Sequence, residues 1–191
     1  GAHDLRRLNQ AEQSGELGIL LTRPAGSEQS SAELRLYSRA QPIPLSDILP
    51  VIENMGFKIN SERPYPVQRH EQSRFWIHVF DLLARSDLPG DLETRKHEFE
   101  QSLLMTWTGH TENDGFNWLV LGAGLNWRET ALLRCYFRFL RQIRFRYSQD
   151  YVIDTLSSNP NMTNRIVRLF HARFDPDLEG DRTVVMDDVM A

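Results

Sequence analysis

The apolar residues of this chain change period once, and that change limits what it can fold into. Before residue 86 they follow the two-residue rhythm of strands. After residue 91 they recur every three to four residues, as on one face of a helix. Leu34 and Leu36 alternate with Glu33, Arg35 and Tyr37, the pattern of a half-buried strand. Phe75, Ile77 and Val79 alternate with Trp76, His78 and Phe80, so that strand has two apolar faces and is expected to be covered on both. Further on, Leu92, Phe99, Leu103 and Trp107 fall at near-heptad spacing before a stop at Gly109. A chain with this switch is α+β, with its sheet encoded first and its helices after.

The predicted elements follow from local signals. Asp4–Gln13 reads as a short polar helix. Glu16–Thr22 and Ala32–Ser38 are strands separated by a Pro/Gly/Ser loop, residues 24–31. Ser46 is the expected cap of a helix that stops at Gly56, where a left-handed cap is natural. Phe57–Arg63 and Arg74–Leu82 are strands. A short apolar helix covers Gly115–Ala123, and Asn126 with Glu129 has capping-box spacing for the next. Its buried stripe is predicted as Leu132, Leu133, Tyr136, Phe137, Leu140 and Ile143. Ser148 caps another helix, and Pro160 opens one that runs to about Phe174. Helix-strand-strand-helix-strand is a βαββαβ ferredoxin-like unit lacking its first strand. Arg74–Leu82 is then either an added strand or the occupant of the vacated place. The expected division is residues 1–86 for the sheet unit, 87–176 for an all-α region, and 177–191 for an acidic, flexible tail.

Charge narrows the function classes. The net charge is −4, and 20 of the 22 basic residues are arginine, with Lys58 and Lys96 the two lysines. Residues 128–173 carry nine arginines against three acids, a balance of +6, while the tail from Asp175 carries six acids and one arginine. A net negative chain is not a bulk DNA-coating protein. The arginine-rich helix, residues 128–146, could still bind phosphate and stack bases through its interleaved aromatics, or bind a protein. The plainer reading is that Arg134, Arg138, Arg141 and Arg144 pair with acids within the molecule or across a domain interface, and no nucleic-acid partner is expected. The longest uncharged apolar run, Trp118–Leu125, is eight residues, against roughly 20 for a bilayer span, so no membrane partner is expected. Nothing at the start of the chain reads as a signal peptide, its Gly1-Ala2-His3 start suggests an excised fragment or a cleaved tag, and the single cysteine fits a reducing, cytoplasmic compartment.

The chemistry-bearing residues are few. The six histidines include no i, i+4 pair, and there is no Cys-x-x-Cys, so no metal is expected. His78 reads as a hydrogen-bonded core residue and Cys135 as a buried small hydrophobe. Leu121-Gly-Ala-Gly-Leu125 has two glycines of a dinucleotide fingerprint, but Trp127 stands at the third position and would block a pyrophosphate. Its small residues are better suited to close packing and a tight turn into the Asn126 cap.

A longer series of residues does point somewhere. Asp114-Gly-Phe-Asn-Trp-Leu-Val-Leu-Gly-Ala-Gly-Leu-Asn-Trp-Arg-Glu129 resembles a segment of the large bacterial NAD-specific glutamate dehydrogenases. The resemblance continues through Leu169–Pro176 and covers Pro44–Asp47, Glu53–Gly56, Glu62–Tyr65 and Trp76–Phe80 in the first half. It runs from about residue 16 to residue 176, departing at Val79, where the family usually has an acid, and at Trp118, where it has a basic residue. It implies an ACT-like unit followed by a helical region, placed before the catalytic core of a very long chain. The parent would oxidise glutamate to 2-oxoglutarate with NAD, and no catalytic, cofactor-binding or metal residue carries over onto this segment. The partners implied are the other domains of the parent chain and its homo-oligomer. An amino-acid effector is possible at the connection Ala40–Ser46, but Pro42 and Pro44 deny it donors, so the isolated segment is not expected to bind one.

Overall fold

The computed structural model describes residues 7–9, 12, 15–70, 73–85, 92–178 and 181–190. The loop Ser86–Asp91, where the period changes, lies outside them, as does most of the predicted helix Asp4–Gln13, of which Arg7–Asn9 and Glu12 are helical. Four strands, β1 (Gly18–Thr22), β2 (Ser31–Arg39), β3 (Phe57–His70) and β4 (Ser73–Ala84), form one antiparallel sheet in the order β1-β2-β4-β3. Helix α1 (Leu45–Asn54) joins β2 to β3, and α2 (Leu92–Trp107) follows β4. Then come a 3-10 turn at Gly115–Trp118, α3 (Leu119–Gly122), α4 (Trp127–Gln142), α5 (Gln149–Ser158), α6 (Pro160–Phe174) and α7 (Arg182–Met190).

The sheet order decides between the two places offered for the fourth strand. In a ferredoxin-like sheet the first strand lies between the third and the last. Here β4 lies between β2 and β3, antiparallel to both, so it occupies that central place. The sheet is therefore complete, and the strand that seemed missing from the front of the motif is supplied from its end. The order ββαββα is the ferredoxin-like circuit opened between its first helix and second strand, with α2 in the place of that first helix. Glu100 of α2 accepts the Leu21 backbone N–H at 2.9 Å, which caps a donor on the sheet's β1 edge.

Local chemistry explains where the boundaries moved. β3 runs seven residues past the predicted Arg63 because its prolines, 64 and 66, sit two apart on an edge strand, where both missing N–H groups face away from β4. Helix α1 begins two residues earlier than predicted, with Pro44 at the cap and its carbonyl accepting from Asp47 and Ile48. Ser46 instead bonds the Asp47 carboxylate and caps nothing. The capping box holds as predicted: the Asn126 side chain accepts from the Arg128 and Glu129 N–H groups, and Glu129 returns a bond to the Asn126 N–H. Ser148 caps α5. The acidic tail, expected to be without structure, carries α7, held to α6 by Arg165 donating to the Val189 carbonyl at 2.9 Å.

Both faces of β4 are covered, as its double apolar pattern requires. On one face Phe75 packs with Tyr37, Leu20 and Leu8 in a small cluster. On the other, Phe80 and Leu82 join the main core, which continues without a break from the sheet through α1 and α2 into the 3-10 turn, α3 and α4. Phe57 and Phe99 meet edge to face at 5.6 Å where α2 crosses the sheet.

Candidate functional site

The arginine helix α4 divides into two parts of different character. Arg134, 4% exposed, lies against the loop that precedes the 3-10 turn. Its Nε and Nη2 donate to the two Asp114 carboxylate oxygens at 2.8 and 3.0 Å, and Nη2 also reaches the Asn117 side-chain oxygen at 2.8 Å. Asp114 in turn accepts the Phe116 N–H, which starts the 3-10 turn, and Asn117 donates to the Glu112 carbonyl. A bidentate pair of this kind, on a buried guanidinium and with the Phe116 N–H as a third donor to the carboxylate, fixes geometry. Arg138, one turn on, pairs with the Glu112 carboxylate at the surface. That hydrogen bond and the charge of Glu112 raise the Arg138 pKa further above its ordinary value. Two of the four arginines predicted as an interface set are therefore engaged within the chain.

The other two lie where α4 ends. Arg141 and Arg144 are exposed, as is Arg146 beyond them, and none of the three side chains meets an acid among the described residues. Arg144 has φ of +65° at the position where a helix usually ends on glycine. Phe145 donates to the Leu140 carbonyl and Arg144 to that of Arg141, which closes a Schellman turn. Gly109 makes the same left-handed turn after α2 with no side chain to strain.

Part of the predicted α4 stripe is not buried. Leu133 and Phe137 are covered, but Tyr136, Ile143 and the neighbouring Phe139 are exposed. With Ile166, Phe170 and Phe174 of α6 and Met186 of α7, several of them line an open cleft of about 690 Å³. Sequence reasoning assigned Tyr136 and Ile143 to the buried stripe and left Phe139 out of it. The signal against burying all of that stripe is its breadth, too wide for every residue in it to face one neighbour.

The remaining predicted positions are accounted for by packing. In the connection Ala40–Ser46 the Ala40 and Gln41 N–H groups bond the Arg74 and Arg39 carbonyls, and Ile43 donates to His78 Nε2 at 3.1 Å. With prolines at 42 and 44, no backbone donor from 40 to 44 is left for a ligand. His78 is a buried, hydrogen-bonded core residue as predicted. A backbone N–H can only donate, so Nε2 carries the lone pair and Nδ1 donates to Glu62 at 2.8 Å. Leu121–Leu125 ends α3 in a left-handed turn at Gly124, under the Arg95 guanidinium, which donates to the Leu121 carbonyl. Burial there lowers the Arg95 pKa from its ordinary value. Cys135 is exposed rather than buried, because α4 turns that side toward the solvent-facing Arg138 and His110. Lys58 is exposed on the edge strand, and Lys96 lies 3.8 Å from Glu93. No group of three metal-ligating side chains is present among the described residues, and no helix among them is long and apolar enough to cross a membrane.

One contact joins the two halves of the chain. Gly56, at φ +95°, lies directly under the Trp118 ring, and a Cβ built on it would stand 1.8 Å from Trp118 Cε3. Trp118 also packs on Gly122. The ring is thus clamped between the end of α1 and the end of α3.

A ferredoxin-like sheet roofed on one face by two helices and continued by a helical layer defines an ACT-type α+β unit with an α-helical extension. Residues 16–96 match the glutamate dehydrogenase ACT3 domain family, and residues 111–176 match glutamate dehydrogenase helical motif 3. The chain belongs to the NAD-specific glutamate dehydrogenase family, as a segment made of those two parts. It is 42% identical over 174 residues to the NAD-specific glutamate dehydrogenase of Halomonas elongata, covering 91% of this chain and 11% of that protein. The Pseudomonas aeruginosa protein of the same name is 33% identical over 171 residues, which is 90% of this chain and again 11% of the relative. The Mycobacterium tuberculosis protein is 34% identical over 158 residues, 80% of this chain and 10% of the relative. The chain thus spans about a tenth of the length of these relatives.

Proposed function

We propose that this segment is a non-catalytic regulatory or scaffolding part of an NAD-dependent glutamate dehydrogenase whose whole chain oxidatively deaminates glutamate to 2-oxoglutarate. One observation carries the reading: the motif residues of the chain are taken up by packing, pairing and capping within it. Gly56 seats Trp118, Asp114 and Asn117 hold Arg134, and Asn126 with Glu129 starts α4. Hydride transfer from an amino acid needs a dinucleotide crevice, an amine-activating lysine and a base. The glycine turn Leu121–Leu125 is packed under Arg95, Lys58 is exposed on the edge strand, and Lys96 lies 3.8 Å from Glu93. NAD is then bound elsewhere in the parent chain. The partners are its other domains and copies of it.

The test compares two proteins by absorbance of the reduced cofactor. The purified segment shows no glutamate-dependent NAD reduction, while a chain extended through the catalytic core does. Turnover by the segment alone overturns the proposal.

A further inference from the structure

We infer that the cleft between α4 and α6 is a docking groove for an amphipathic helix that carries an apolar stripe flanked by acidic side chains. This rests on the scaffolding reading for its source, another segment of the parent polypeptide, and on the cleft itself for its chemistry.

The walls of the cleft are two helical stripes that face each other without closing. Tyr136, Phe137 and Leu140 repeat on α4 at helical spacing, as do Ile166, Phe170 and Phe174 on α6. The Tyr136 and Phe170 rings meet edge to face at 6.1 Å, which sets the distance between the walls. Phe139 and Phe174 are each 56% exposed at the mouth. Single exposed apolar residues are ordinary on a surface, but a contiguous aromatic cleft is not. A small-molecule site would place a few convergent polar groups inside to orient its ligand. Here the lining is apolar except for Arg173. That composition suits the apolar anchors of a helix laid in a groove.

Charge selects the occupant. Arg141, Arg144 and Arg146 follow directly on Leu140, which lines the cleft, and none of their side chains meets an acid among the described residues. Arg144 holds its place at a left-handed φ where glycine would be unstrained. A second copy applied face to face would bring these arginines near their own counterparts, which argues against self-association there. An acidic helix meets them favourably. Helix α7, held to α6 by Arg165, adds Met186 to the apolar lining of the cleft.

The experiment uses the full 191-residue chain and a fluorescein-labelled peptide of about five helical turns, with leucines at i, i+3, i+4 and i+7 and glutamate elsewhere. Anisotropy at low and moderate salt should show binding that weakens with salt, and no binding of the same peptide with lysine in place of glutamate. The triple variant R141E/R144E/R146E should weaken the acidic peptide by about tenfold and favour the lysine peptide. F139S and F174S, at exposed positions, should each reduce binding while circular dichroism stays unchanged. The inference falls if neither peptide binds, or if the acidic peptide binds and these variants leave it unaffected. It also falls if oligothymidylate or dodecanoate binds at these residues and the acidic peptide does not, or if sedimentation shows a dimer that F139S dissociates. NAD reduction is untouched by any of these outcomes, so a failed groove and a failed scaffolding assignment are read separately.

Discussion

Replacing Gly56 with alanine tests the contact that joins the sheet unit to the helices. Two separable costs follow from the structure. The backbone at φ +95° is one that an L side chain rarely adopts, which costs alanine about 1–2 kcal/mol. The new methyl would also stand 1.8 Å from Trp118 Cε3 and 2.4 Å from Cζ3. Trp118 is buried against Gly122 on its other side, so the ring cannot simply swing away, and overpacking of this kind costs about 1–3 kcal/mol. Gly56→Ala should therefore lose about 2–5 kcal/mol, a large part of what a domain this size has. The second cost depends on the indole and the first does not. In a Trp118→Leu background the alanine should cost only the backbone strain, about 1–2 kcal/mol, so the two substitutions should fall short of additive by at least about 1 kcal/mol. Urea unfolding followed by circular dichroism measures all four proteins, with a constant slope as the check that the unfolded state has not changed. A cost that is the same in both backgrounds, within about 0.5 kcal/mol, refutes the clamp.

Other positions give sharper signs than sizes. Arg144→Gly should stabilise the chain by about 1 kcal/mol, since it relieves a left-handed φ without removing an ion pair, and a fall in the urea midpoint would contradict this. Arg134→Leu leaves Asp114 and Asn117 without their donor and should cost about 3 kcal/mol by the same assay. Arg138→Ala, one turn away at a fully exposed pair, should not change the midpoint measurably. Asn126→Ala removes the side-chain oxygen that accepts both capping N–H groups of α4 and should cost about 1 kcal/mol, with the loss visible in thermal melts.

How much was legible depended on whether the deciding contact is local in the chain. The capping box at Asn126, the left-handed stop at Gly56 and the two-faced strand around His78 are written in a few adjacent residues, and sequence reading finds them. The central place of β4 is not written that way. Its period shows a strand with two covered faces, but choosing between edge and centre needs its partners on β2 and β3, tens of residues away. The end of β3 was misread for a related reason: prolines stop a central strand, and only the sheet order shows that this one is an edge. Glu62 had no sequence signal at all, because its role comes from a cross-strand neighbour of Pro64. Cys135 and the outer part of the α4 stripe were placed inside because apolar residues on a helix are usually covered. On one side of α4 Tyr136, Phe139 and Ile143 stay exposed among the described residues, and nothing within α4 itself reports that.

The arginines show the same division between what the chain uses and what it presents. Guanidinium groups suit both roles, since a planar fork can hold a buried carboxylate or wait at a surface without losing its charge. In α4 the two uses are ordered along the axis. Arg134, near the core, is buried and completes the joint between loop and helix; Arg138 pairs at the surface; Arg141 and Arg144 meet no acid among the described residues. The apolar residues of α4 follow the same direction, from buried Leu133 and Phe137 to exposed Phe139 and Ile143 at the far end. Solubility alone would put charge at that end but not phenylalanine, and core packing would put phenylalanine there but not unpaired arginine. The two together, beside a cleft with an apolar floor, are what a surface needs when it is to be covered by an acidic, amphipathic neighbour.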